Sequence, residues 1–254
     1  MSPLHIVLIS IVAVILVSVT ISIYLARRCT AGAVPWAYLL IARVYISLMS
    51  SWRSNRPCNW PPEGPAIIVG NHTSPVDPLL LWYRHNREWP AHHARVVGFM
   101  VAREYVVQKN VIGWICRVMQ SVPVNRSGQD TQAVRAALRR LASGELLGIF
   151  PEGHLNVTPE DGLQPFNTGI AYIALKSGAP IYPSFIHGAP RSTGMVACFF
   201  KRSRVRVTYG EPIDLQDRFG SVKKPTMETL EQATQHIWDE LTRLGEERWW
   251  EAPT

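Results

Sequence analysis

The residues in this chain best placed to do chemistry are His72 and Asp77, in the stretch Val69-Gly70-Asn71-His72-Thr73-Ser74-Pro75-Val76-Asp77-Pro78. An imidazole can take a proton from a hydroxyl. A carboxylate bonded to its other ring nitrogen fixes the tautomer and raises the basicity. No serine or cysteine nucleophile is needed where the substrate brings the hydroxyl. The spacing alone is a weak signal. The same pair also suits a loop histidine beside a helix whose first turn Asp77 caps.

Other stretches carry single chemical residues. Ile149-Phe150-Pro151-Glu152-Gly153-His154 delivers Glu152, and Val122-Pro123-Val124-Asn125-Arg126 delivers Arg126. Ile181-Tyr182-Pro183-Ser184-Phe185 holds a proline inside an apolar run. Gly162 to Gly169 reads as a turn opening a helix whose N-terminus could hold an anion. Taken singly, Glu152 reads equally as a solvated loop acid and Arg126 as a surface charge. The four cysteines, Cys29, Cys58, Cys116 and Cys198, show neither metal-ligand spacing nor a disulfide framework, which fits a reducing compartment.

These residues need elements to position them. His72 and Glu152 follow apolar runs, Ala66–Val69 and Leu146–Phe150, that read as short buried strands. A loop at the C-terminal end of a strand is where open α/β sheets keep their ligands. Further strand-like runs are Val96–Val101, Ser121–Val124, Pro180–Phe185 and Val205–Tyr209. Helix-like runs are Pro78–Asn86, Val111–Met119, Thr131–Ala142, Asn167–Lys176 and Thr226–Gly245, with Gly144 and Gly178 at C-cap positions. The alternation predicts an α/β fold with a mostly parallel central sheet flanked by helices.

Ahead of this lies Leu4 to Leu25, 22 residues interrupted only by His5 and small hydroxyl residues. As a helix it spans roughly 33 Å, enough for a bilayer core of about 30 Å. Arg27 and Arg28 follow at once, so the positive-inside rule predicts a single-pass anchor with the rest on the cytoplasmic face of the membrane. A cleaved signal peptide is the rival; it would carry its charge before the apolar run. Pro35 to Arg53 reads as a second apolar helix, lying in the membrane interface or packed on the domain. The expected organisation is an anchor over 1–28, this helix within 31–56, and an α/β domain over 57–254.

The net charge of +7 and a pI near 9.5 call for a polyanionic partner. With an anchor present, the membrane surface or an acidic protein fits better than nucleic acid, and no nucleic-acid partner is expected. Lys201-Arg202-Ser203-Arg204-Val205-Arg206 is the densest basic run and reads equally as a solvated edge strand. No P-loop, dinucleotide glycine pattern, Gly-x-Ser-x-Gly or His-Glu-x-x-His is present.

In their order, the four stretches resemble the lysophospholipid acyltransferase family, that of 1-acylglycerol-3-phosphate acyltransferases, over about residues 60 to 215. Its motifs match Asn71-His72 with Asp77, the strand ending at Arg126, Phe150-Pro151-Glu152-Gly153, and the segment centred on Pro183. The resemblance implies transfer of a fatty acyl group from a thioester, acyl-CoA or acyl carrier protein, to a lipid hydroxyl. It implies His72 as base, Asp77 as its orienter, and Arg126 and Glu152 on the acceptor's head group, with Gly153 allowing close backbone approach. No cofactor or metal is implied. Two family cations are missing: Leu155 stands where the family usually has Arg, and Asn167 where it has Lys. Arg103 stands where the family often has Lys. The simplest expectation is a membrane-anchored enzyme making phosphatidic acid from 1-acylglycerol-3-phosphate. The alternatives are an acyltransferase for another lyso-lipid, such as an amino-acid-containing one, and a non-catalytic lipid-binding relative.

Overall fold

The computed structural model describes residues 2–29, 31–88, 95–125, 130–192, 195–220, 222 and 224–251. The elements are α1 (Pro3–Arg28), α2 (Ala33–Met49), β1 (Ser50–Ser54), β2 (Ala66–Gly70), α3 (Asp77–Glu88), β3 (Val97–Ala102), α4 (Arg103–Val106), α5 (Val111–Val118) and β4 (Val122–Val124). They continue with α6 (Thr131–Ala142), β5 (Leu146–Ile149), α7 (Gly169–Ser177), β6 (Ile181–His187), α8 (Met195–Cys198), β7 (Ser203–Tyr209), α9 (Leu215–Phe219) and α10 (Met227–Glu246).

One seven-stranded sheet runs in the order β1-β7-β6-β2-β5-β3-β4. Neighbours are parallel except β6 and β7, so β7 and β1 run against the other strands. Every residue of β2 is buried because helices cover both faces of the sheet. Ile68, with Trp36, Leu39 and Ile46 of α2 and Leu80 and Leu81 of α3, builds one core layer. Ile67 and Val69, with residues of α6, α7 and α10, build the other.

Helix and strand ends follow local chemistry. Asp130 caps α6 by accepting from the amides of Gln132 and Ala133, both at 3.0 Å. Gly178 closes α7 in the left-handed conformation at φ 64°. Gly148 lets β5 run beside Phe99; a Cβ there would sit 2.3 Å from that ring.

One element departs from the sequence expectation. The second helix stops at Met49, and Ser50–Ser54 forms the edge strand β1, paired in parallel with β7. Trp52 turns inward while Ser51 and Arg53 face out, an alternation too short to read against the apolar helix before it.

Among the described residues, α1 is the helix long and apolar enough to cross a membrane by length and composition, and none of its apolar window is buried. Its end packs on α2 through Leu25 and Ala26.

Candidate active site

The loop after β2 is fastened before it reaches His72. The Asn71 side chain donates to the carbonyl of Ile186 at 3.0 Å and accepts from the N–H of Ile186 at 2.7 Å, tying the loop to β6. Asp77, the first residue of α3, is 0% exposed. Its Oδ2 accepts from the amides of Thr73 at 2.7 Å and Ser74 at 2.8 Å and lies 3.1 Å from Nδ1 of His72. A carboxylate only accepts, so Nδ1 carries the proton and Nε2 keeps its lone pair free. The His72 side chain is 19% exposed, open to a substrate on one side. Its ring lies flat on Phe150 at 4.2 Å, and Phe150 stacks on Phe99 at 5.2 Å. A carboxylate on one side and an aromatic face on the other leave the imidazole little freedom.

Glu152, expected on the acceptor's head group, is placed differently. It is 2% exposed, and both oxygens are engaged within the protein. Oε1 accepts from the backbone N–H of His72 at 2.8 Å; Oε2 accepts from Nδ2 of Asn156 at 3.1 Å and from the amide of Gln164 at 3.0 Å. A buried carboxylate requires such donors, and the His72 loop supplies one of them. Asn156, 2% exposed, also gives its own amide to the carbonyl of His72 at 2.7 Å and its Nδ2 to the carbonyl of Gly162 at 2.7 Å. Nothing in the sequence marked Asn156 for this place beyond its nearness to Glu152.

Gly153 has φ 76°, and a Cβ there would lie 2.8 Å from Nδ2 of Asn167. Asn167 in turn donates through both its side chain and its amide to the carbonyl of Pro151, at 3.1 and 2.9 Å. Its amide group therefore braces the turn that carries Glu152.

A cavity of ≈ 450 Å³ opens beside His72. Its wall is mostly apolar, with Tyr38 of α2, Trp82 of α3, Phe99 of β3 and Ile115 and Met119 around α5. Gly153, His154 and Leu155 form the rim nearest the Glu152 turn. Burial pushes the Tyr38 hydroxyl up to about 12 and raises the Cys116 thiol, so both stay neutral in the wall.

The remaining expected residues are distributed as follows. Arg103 is exposed and opens α4, directly after Ala102 of the cavity wall. Ala102 pairs with Val124, so Arg103 follows at the end of β4, and hydrogen bonds from the amides of Asn125 and Ala133, with Arg103 adding to the effect, hold the Asp130 carboxyl below its ordinary range. Arg126 lies outside the described residues. Pro183 is buried within β6, paired with Val69, and is a packing residue of the sheet rather than a part of the cavity wall.

A mostly parallel α/β sheet with a carboxylate-oriented histidine at a central strand end, opening on an apolar cavity, is a scaffold suited to handling fatty acyl groups. The chain belongs to the Acyltransferase family, whose model matches residues 53–187. It is 24% identical over 208 residues to a 1-acyl-sn-glycerol-3-phosphate acyltransferase of Bacillus subtilis, covering 80% of this chain and 92% of that protein. It is 28% identical over 148 residues to a lyso-ornithine lipid O-acyltransferase of Rhodobacter capsulatus, covering 56% of this chain and 48% of that protein. Its fold matches the crystal structure of the 1-acyl-sn-glycerophosphate acyltransferase PlsC from Thermotoga maritima. The TM-score is 0.59 at 21% identity, over 83% of this chain and 80% of that one. The chain is an acyltransferase of the 1-acylglycerol-3-phosphate acyltransferase type.

Proposed function

We propose that this enzyme moves a fatty acyl group from a thioester, acyl-CoA or acyl carrier protein, to the free hydroxyl of 1-acylglycerol-3-phosphate, giving phosphatidic acid. The observation that carries the reading is His72, with its Nδ1 proton held by Asp77 and its Nε2 free beside an apolar cavity. Nε2 takes the acceptor's hydroxyl proton as that oxygen attacks the thioester carbonyl. The C–O bond forms, the C–S bond breaks, and the thiolate leaves with the proton from the imidazolium. Asp77 stabilises the imidazolium between the two steps. The thioester is already activated, so a base and good positioning suffice. The cavity takes the apolar chain. Arg126 and Arg103 hold the phosphate, and Arg is suited to bidentate phosphate contact.

The anchor is α1, with Arg27 and Arg28 keeping the catalytic domain on the cytoplasmic side. Protease added to that side of sealed vesicles digests the domain; protection there, with digestion only from the opposite side, contradicts this topology.

One observation favours a second acceptor. Leu155 lines the cavity and Asn167 is bonded to Pro151, so neither position offers a cation to a phosphate. An amino-acid-containing lyso-lipid would need fewer cations. The test is an acceptor panel assayed on purified protein with both donors. Lysophosphatidic acid is expected to be the best acceptor; preference for a zwitterionic or amino-acid-containing lyso-lipid rejects the phosphatidic acid assignment and leaves acyl transfer standing.

A further inference from the structure

The outward side of the β1–β7 edge carries a cluster of arginines. The register sets Arg53 opposite Arg206 and Ser51 opposite Arg204. Val205 and Val207 alternate with these residues and enter the core layer beneath α2, joined there by Trp52. Arg53, Arg204 and Arg206 therefore share the opposite face of the sheet. Arg248, just beyond α10, joins them: it lies over the Trp250 ring at 5.5 Å, and Trp250 packs on His187, the partner of Arg206 in the ladder. Among the described residues none of these four arginines pairs with a carboxylate. Like charges facing each other on a sheet oppose folding. The Arg206 guanidinium is held below its ordinary range by burial and then by Arg53 and Arg204.

We propose that this arginine face docks a soluble acidic protein that presents the acyl thioester, an acyl carrier protein; the proposal rests on the acyl-transfer reading above. Charge complementarity is the first argument, because four clustered cations, with Arg53 and Arg204 exposed, steer and hold an acidic surface. Position is the second. β7 and β1 run against β2, so Arg204 stands at the end of the sheet where β2 delivers His72. β7 is two strands from β2 and β1 three, about 10 and 14 Å in the plane of the sheet at the usual strand spacing, and the cavity opens on the α2–α3 side, so a flexible thioester arm passes the strand ends to reach it. The third is continuity: Phe199 lines the cavity, and the chain runs from it through Lys201 and Arg202 to Arg204.

A bilayer does not suit this face. The exposed apolar residues of α2, Ile41, Val44 and Leu48, lie on the other side of the sheet, above the core layer that Val205 and Val207 enter. A membrane seated on α2 leaves the arginines pointing away from it.

The test uses the purified full-length protein, assayed with acyl carrier protein and CoA thioesters of one acyl length. Arg53 and Arg204 are exposed, so Arg53→Glu/Arg204→Glu leaves the core intact. The KM for the carrier-protein donor is expected to rise about 10-fold or more, with loss of its salt dependence, while acyl-CoA kinetics hold. Unchanged acyl-CoA kinetics also report a folded enzyme. The milder Arg53→Gln/Arg204→Gln pair is expected to move the same KM in the same direction. Equal losses with both donors, an unchanged carrier-protein KM, or a wild type that uses only acyl-CoA overturns the proposal. So does a weaker dependence of activity on phosphatidylglycerol in mixed micelles while carrier-protein kinetics hold, which assigns the face to lipid. A wild type inactive with both donors rejects acyl transfer itself, a separate result.

Discussion

The backbone N–H of His72 donates to the buried Oε1 of Glu152 at 2.8 Å. On the other side, the backbone carbonyl of His72 accepts from Asn156, whose side chain also holds Oε2 of Glu152. The backbone of His72 is thus gripped from both sides, independently of what its imidazole does. Glu152→Gln exchanges one acceptor oxygen for a donor, and at least one of the three bonds fails. A buried group left unsatisfied costs on the order of 1–3 kcal/mol. The expected result is a lower Tm and a lower kcat with little change in donor KM, read by thermal melting and initial rates. Wild-type values of both Tm and kcat would show that the grip has no consequence.

Asp77→Asn separates charge from architecture. Among the described residues Oδ1 of Asp77 has no partner, whereas Oδ2 holds Thr73, Ser74 and His72. An amide nitrogen in the place of Oδ1 keeps the loop bonds and removes the charge that stabilises an imidazolium. kcat should fall by about 10²-fold or more while the fold persists by circular dichroism. A variant with wild-type turnover contradicts the role given to Asp77.

What the sequence displayed was what local patterns can carry. β2 and β5 stood out because residues buried on both faces form continuous apolar runs. The His72–Asp77 pair stood out because both lie in one loop and helix start, where spacing maps directly onto geometry. β1 did not, since Ser-Ser-Trp-Arg-Ser becomes a strand only by pairing with β7, far along the sequence. Glu152 was visible as a charged loop residue, but its inward turn is set by His72, 80 positions away. Asn156 and the cavity, whose wall draws on α2, α3, β3 and α5, have no local signature at all.

His187 gives the fold a pH dependence away from His72. Burial, and then Arg248, lowers its imidazole from the ordinary 6.5 to about 4. Between those values the unfolded protein binds a proton that the folded protein does not, so stability falls as pH drops from 6.5 towards 4. The Tm of wild type should decline over that window more steeply than that of His187→Gln. Parallel declines contradict a neutral, buried His187.

The cavity wall should set which acyl groups are used. Met119 and Cys116 line it from the α5 side. Cys116→Trp or Met119→Trp fills part of the space, at an overpacking cost of about 1–3 kcal/mol. Turnover of long acyl thioesters should drop relative to short ones, measured as a ratio of kcat/KM values. A ratio equal to that of wild type would place the acyl group elsewhere.

The central claim is that Nε2 of His72 removes the proton of the acceptor's hydroxyl. Its most direct test is the single-turnover rate of acyl transfer to lysophosphatidic acid by His72→Ala, with folding and donor binding measured alongside. The rate should fall by about 10²–10⁴-fold, with donor affinity and Tm close to wild type. A His72→Ala enzyme that transfers acyl groups at near the wild-type rate contradicts the mechanism.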